Sequence, residues 1–131
     1  MTSTDTPKPR RGEIWLTNWG SGRTGEPTKA RPSVVLSNDL LPGESVFDLV
    51  IMAALSASLP PAPGRPLVPP TPRTGLDHDS AVMIRGIRGM SRGRLLRRVG
   101  EVDAGTMRLI DRSLLAVLGL RTSGRATDQD T

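Results

Sequence analysis

Arg31-Pro32-Ser33-Val34-Val35-Leu36-Ser37-Asn38-Asp39 reads as a strand with a fixed cation at its head. Val34, Val35 and Leu36 suit a buried, pleated surface. The strand is expected over Ser33 to Ser37, with Pro32 at its first position, where a missing N–H is tolerated. The segment before it, Gly20 to Ala30, is rich in Gly, Ser and Thr and reads as a loop. Arg31 therefore stands at a loop mouth, backed by a stiff segment. A guanidinium keeps its charge at any ordinary pH and binds phosphate through parallel hydrogen bonds, so this is a natural phosphate site.

Working outward, Glu13 to Asn18 contains Ile14, Trp15 and Leu16 and reads as a strand. Phe47 to Leu55 is mostly apolar, which predicts a central strand buried on both faces beyond Asp48. Pro60, Pro61 and Pro63 forbid its continuation. Leu59 to Pro72 is then a proline-rich loop with room for a short edge strand at Leu67-Val68. Ser80 to Ile84 and Leu95 to Val102 read as further strands. One helix closes the chain. Asp103 can cap it, Met107, Ile110, Leu114, Val117 and Leu118 form an apolar stripe, and Gly119 suits its end. Strands followed by one amphipathic helix predict an α+β, mainly β fold: a small, strongly bent sheet or barrel with the helix packed on it.

The chain has 131 residues, enough for one domain with a modest core. Residues 1–9 read as a disordered arm, 10–120 as the folded domain and 121–131 as a polar tail. No apolar run is long enough for a membrane helix, and the N-terminus lacks a secretory pattern. With no cysteine and only one histidine, His78, neither a thiolate nor a histidine-rich metal site is possible. A cytoplasmic protein is the simplest expectation, without membrane contact. Net charge is +5, and all basic residues except Lys8 and Lys29 are arginine. That balance suits a nucleic-acid partner. A GC-rich genome, biasing codons toward arginine, is an equal explanation of the composition alone.

The same residues, in order, resemble a known family. Arg11-Gly12-Glu13-Ile14-Trp15 resembles the opening strand of the MazF/PemK toxins. Gly25-Glu26, then Arg31-Pro32 and Val34 to Asp39, are similar to their first loop and second strand. Ala53-Ala54-Leu55-Ser56, His78 to Val82 with Ile87-Arg88, and Val99 to Val102 leading into the terminal helix match later segments. The resemblance spans residues 10–120. It implies an SH3-like barrel (CcdB/PemK-like) with a C-terminal amphipathic helix. It also implies a homodimer, and metal-independent, cofactor-free cleavage of single-stranded RNA. A cognate MazE-like antitoxin would block it. The family's catalytic arginine falls on Arg31 and its catalytic threonine on Ser56.

Cleavage of this kind uses the neighbouring 2′-OH as nucleophile, so the enzyme must offset charge growing at phosphorus. Arg31 suits that task better than a base role, since a guanidinium loses its proton only under strong desolvation. Ser56 is a weak acid and suits positioning. From position alone, a surface ion pair of Arg31 with Glu26 or Asp39 is an even alternative. For RNA binding, Glu26 and Thr28 lie on the loop before Arg31, which either grips RNA or is simply solvated. Asn38 either reads a base edge or bonds its own turn. Trp19 offers a ring for base stacking, whereas Trp15 suits core packing. Arg85 and Arg88 belong to the densest basic stretch, which continues through Arg92, Arg94, Arg97 and Arg98. His78, between Asp77 and Asp79, reads as a surface turn ahead of a catalytic group. Many family members carry an acidic residue and Gln where this chain has Arg85-Gly86, so the amide that commonly reads RNA is absent. The reading that follows is a sequence-selective endoribonuclease toxin. The alternatives are a CcdB-like toxin that binds gyrase, or an RNA-binding relative with decayed catalysis.

Overall fold

Ile14, Val34 and Ala53 form a row of cross-strand neighbours, one from each of three adjacent strands, and all three are fully buried. That row is the middle of the sheet. The computed structural model describes residues 8–38 and 49–121. Within them lie β1 (Glu13–Asn18), β2 (Ala30–Val35), β3 (Leu49–Ser56), β4 (Leu67–Val68), β5 (Ser80–Val82), β6 (Arg88–Ser91), β7 (Leu95–Glu101) and α1 (Ala104–Leu118). Every described pairing is antiparallel. The order is β4-β5-β3-β2-β1-β7, and β6 pairs with the first half of β3. Two register shifts interrupt the β1–β7 ladder, between Ile14 and Trp15 and between Leu16 and Thr17. Bulges of this kind bend a strand and increase its twist.

Alternation along the strands builds two cores. Ile14, Val34, Leu55, Val82 and Ile110 belong to the cluster on the helix side. Trp19, Val35, Met52, Ala54, Met90 and Leu95 form the other. Consecutive residues such as Val34 and Val35, or Ala53 and Ala54, point to opposite faces, so one strand supplies both. Asp103 caps α1, its Oδ1 accepting from the Thr106 N–H at 2.7 Å. That bond, together with nearby Arg73 and Arg108, lowers the carboxyl pKa. Ile110 is buried, and Met107, Leu114 and Val117 pack beside it. Leu118, expected in the same stripe, is 52% exposed. Gly119 ends the helix in the left-handed region at φ 70°, a conformation glycine enters without a Cβ clash.

The strands depart from the expectations in several places; β5 ends at Val82, with Ile84 in a 3-10 turn, and β2 ends at Val35, short of Ser37. β2 begins at Ala30, because β1 runs to Asn18 and pairs with it. Pro32 consequently lies inside β2, where the ladder to β3 has not yet started; its first pair is Ser33 with Ala54. The described part of β3 is not buried on both faces, since Leu49 and Ile51 are exposed; Phe47 and Asp48 lie outside the described residues. β6 has no apolar pattern in the sequence, Met90 being its one buried residue. Its pairing with Leu49 to Met52 of β3 creates it.

A charged ladder crosses the β1–β7 edge. Glu13 accepts from the Trp15 indole at 3.0 Å and from Arg98 Nε at 3.1 Å, and Arg98 and Arg73 both reach Glu101. Partial burial of Glu13 would raise its pKa; the bonds from Trp15, the Arg10 N–H and Arg98 outweigh this and hold it below the ordinary value. Trp15 itself is half-buried against the second core rather than within it. Gly100 lets β7 pass under the turn at Arg73-Thr74. A Cβ there would stand 2.4 Å from the Arg73 carbonyl oxygen and 2.3 Å from that of Thr74. No described helix is long and apolar enough to cross a membrane.

Candidate active site

The loop between β1 and β2 is closed at its base by two backbone bonds. The Trp19 N–H donates to the Lys29 carbonyl at 2.8 Å, and the Lys29 N–H to the Gly20 carbonyl at 2.7 Å. Lys29 adopts φ 65°, a conformation uncommon for a residue with a side chain. Further out, Glu26 Oε1 accepts from the Arg23 N–H at 2.8 Å, so this carboxylate holds the loop's own turn. The loop delivers Arg31, half-buried, at the start of β2.

Arg31 Nε donates to the Thr28 carbonyl at 2.9 Å. Its two terminal nitrogens bond no described residue, and it forms no ion pair among them. The alternative ion pair with Glu26 is absent; Asp39 lies outside the described residues. Arg31 pairs with Thr17 in β1, and Ser33, two residues on, pairs with Ala54 in β3. The same spacing carried along β3 leads from Ala54 to Ser56, on the face that Arg31 also occupies. By that point β3 has left β2 for β5, pairing Ser56 with Ala81. Ser56 is 2% exposed, and its Oγ lies 3.1 Å from Ser58 Oγ. Ser58 is exposed and brings a second hydroxyl to Ser56. Ser-x-Ser at a strand end was the sequence signal for it.

Trp19 corrects an expectation. The ring is 1% exposed and offers no face to a base. Its N–H donates to Ser33 Oγ at 2.7 Å, and Ser33 Oγ donates to the Arg31 carbonyl at 3.1 Å. The Arg88 guanidinium lies 5.3 Å from the ring centroid and its Nη2 reaches the Trp19 carbonyl. Trp19 is thus a buried support beneath Arg31.

A cavity of about 400 Å³ opens between the β1–β2 loop, the proline-rich loop and the 3-10 turn Ile84–Gly86. Glu26, Arg85 and Arg88 line it as polar groups, joined by Arg65, which the sequence reading did not single out. Pro27, Leu59, Met83, Ile84 and Ile87 make its apolar part. A Cβ at Gly86 would come within 3.3 Å of the Pro27 ring, so the bare glycine lets the loop sit down on the turn. Thr28 stands at the loop's return, its carbonyl held by Arg31. Asn38 is exposed three residues past the end of β2, seven residues beyond Arg31 and not among the residues lining this cavity. His78 is exposed in the turn before β5, its carbonyl accepting from Ser80 Oγ. Among the described residues no group of three or more His, Cys, Asp or Glu is placed to hold a metal ion.

The sequence profile of the PemK-like, MazF-like toxins of type II toxin-antitoxin systems matches residues 10–118. Endoribonuclease MazF6 of Mycobacterium tuberculosis is 35% identical over 112 residues, covering 84% of this chain and 96% of that protein. Endoribonuclease MazF9 of the same species is 33% identical over 117 residues, covering 85% and 97%. Among solved structures, MazF from Deinococcus radiodurans superposes with a TM-score of 0.70 at 20% identity, over 86% of this chain and 97% of that one. A mycobacterial endoribonuclease in complex with its cognate antitoxin gives 0.66 at 24%, over 88% and 99%. At these identities the superpositions speak for the curled sheet and its terminal helix.

Proposed function

Because the chain belongs to the PemK-like, MazF-like toxin family of type II toxin-antitoxin systems, we propose that it is an endoribonuclease whose reaction is carried by Arg31. The substrate is single-stranded RNA. The 2′-oxygen forms a bond to phosphorus in line with the departing 5′-oxygen; the 2′-OH gives up its proton and the leaving oxygen gains one. Arg31 stabilises the extra negative charge on the phosphorane oxygens. Its Nε is tied to Thr28 and its terminal nitrogens are unengaged among the described residues, which leaves the two-pronged donor that a phosphate needs. That geometry is the observation on which the assignment rests. Ser56, buried and sharing a hydrogen bond with the exposed Ser58, positions that hydroxyl for a phosphate oxygen instead of moving protons.

Glu26, Thr28, Arg85 and Arg88 guide the RNA across the cavity, and Asn38 contacts it farther along the strand. The domain spans residues 10–120, acts in the cytoplasm as a homodimer, and is silenced by a cognate MazE-like antitoxin. The relatives reported above are endoribonucleases, which favours cleavage over gyrase binding. Incubation of the purified protein with mixed-sequence RNA in excess chelator, with end mapping, tests the assignment. Short recurrent cleavage sequences are expected, lost in Arg31→Ala. Intact RNA, or cleavage indifferent to Arg31→Ala, overturns the mechanism. The Arg85-Gly86 pair motivates the one competing reading, tight RNA binding without turnover, which the same assay with a binding arm separates.

A further inference from the structure

Arg65 repeats the arrangement found at Arg31, in a loop of different origin. Ala62 and Arg65 exchange two backbone hydrogen bonds, at 3.0 and 2.7 Å, closing a tight turn over Pro63-Gly64. The Arg65 side chain is anchored as well, its Nε donating to the Pro60 carbonyl at 3.0 Å. Its terminal nitrogens bond no described residue, and no described carboxylate pairs with it. Prolines 60, 61, 63 and 66 stiffen the surrounding chain. Arg65 therefore reaches the cavity as a preset fork in place of a floppy surface cation.

The cavity lies between Arg65, which lines it, and the loop that carries Arg31. One wall is the segment Gly25–Pro27, which leads through Thr28 to Arg31. Another is the proline-rich loop, which starts three residues after Ser56. We infer that Arg65 binds a phosphodiester neighbouring the scissile one, with the intervening nucleotide seated in the cavity. This rests on the endoribonuclease reading and deepens it. A base lies against Leu59, Met83 and Ile87, and the flanking phosphate meets Arg65 beside Arg85. Glu26 keeps Oε2 for a donor. Adenine, cytosine and guanine carry exocyclic amino donors, whereas the side chains of an acidic peptide offer acceptors alone. That favours RNA over a polyacidic partner.

The test measures binding of a 2′-O-methyl single-stranded RNA of mixed sequence to the full chain across a salt series, with wild-type cleavage of ordinary RNA run in parallel. Arg65→Ala is expected to weaken binding about fivefold to tenfold at low salt and to reduce the log–log salt slope by about 0.7, the value for one phosphate contact on a single strand. Arg65→Gln keeps a donor for the Pro60 carbonyl and removes the charge, so it gives the same slope if the turn matters only as a scaffold. Arg65→Lys restores the slope and part of the affinity. Arg108→Ala, which removes a helix charge away from the cavity, leaves the slope unchanged. A wild-type slope in both Arg65→Ala and Arg65→Gln overturns the assignment. So does polyglutamate that displaces RNA from wild type but not from Arg65→Ala, which would make the site one for an acidic peptide. Unchanged slopes with intact wild-type cleavage reject Arg65 alone; absence of wild-type cleavage rejects the enzyme reading itself.

Discussion

Arg31 owes its legibility to local facts: a cation, a proline beside it and an apolar strand behind it. Those facts do not depend on what the rest of the chain does. Trp19 and Ser56 are different, because their surroundings come from distant segments. The burial of Trp19 requires Ser33, Met90 and Arg88 to close around it, and no local pattern announces that. The placement of Ser56 depends on β3 passing from β2 to β5. At this scale two outcomes are expected. Arg31→Ala lowers kcat about 10²- to 10³-fold, the usual cost of removing one preset donor to a charged transition state, as measured on a defined RNA under saturating conditions. Arg31→Lys recovers little of this, since an ammonium lacks the fork that Thr28 holds in place. Trp19→Phe leaves Ser33 Oγ buried without its donor and costs about 1–3 kcal/mol in urea unfolding. It also lowers cleavage, because Ser33 holds the Arg31 carbonyl; Ser33→Ala should then add little in the Trp19→Phe background.

Elements with strong internal patterns were legible and those made by pairing were not. α1 carries its cap, stripe and glycine stop in its own sequence, and the structure follows them except at Leu118. Asp103→Ala is expected to lower Tm, because the Thr106 N–H loses its acceptor. β6, Arg88-Gly89-Met90-Ser91, has neither alternation nor β-branched residues and exists because β3 offers it a ladder. The packing of the turn at Arg73-Thr74 on β7 was equally hidden, since a glycine in a strand does not say what approaches it. Gly100→Ala pushes a methyl into two carbonyl oxygens of fixed backbone. A loss of about 3 kcal/mol is expected by chemical denaturation, at the upper end for overpacking. The effect should reach the β1–β7 edge, because Glu101 N–H donates to the Arg73 carbonyl beside it.

For the molecule as a whole, the class of fold was readable from the succession of strands and one helix. The strand order was not, because it is set by contacts far apart in sequence. Acid stability is also a property of the assembled chain. Glu13 and Asp103 both have folded pKa values below their ordinary ones of 4.5 and 3.8. Each therefore adds stability that is complete above its unfolded pKa and is lost as pH falls through the folded value. The urea midpoint should be level near neutrality and fall on acidification through that range. Glu13→Gln should start lower and fall less, and an identical slope would remove Glu13 from the explanation. Finally, β3 is paired with β6 over Leu49 to Met52, with β2 over Met52 to Ala54 and with β5 at Leu55 and Ser56. No single edge can peel away and leave its middle amides open to water, so partial opening does not reach them. In heavy water, the Met52, Ala53 and Ala54 amides should trade their protons last, at the rate set by complete unfolding, while the two-residue β4 exchanges early. The strand that carries Ser56 at its end is thus the slowest clock in the molecule.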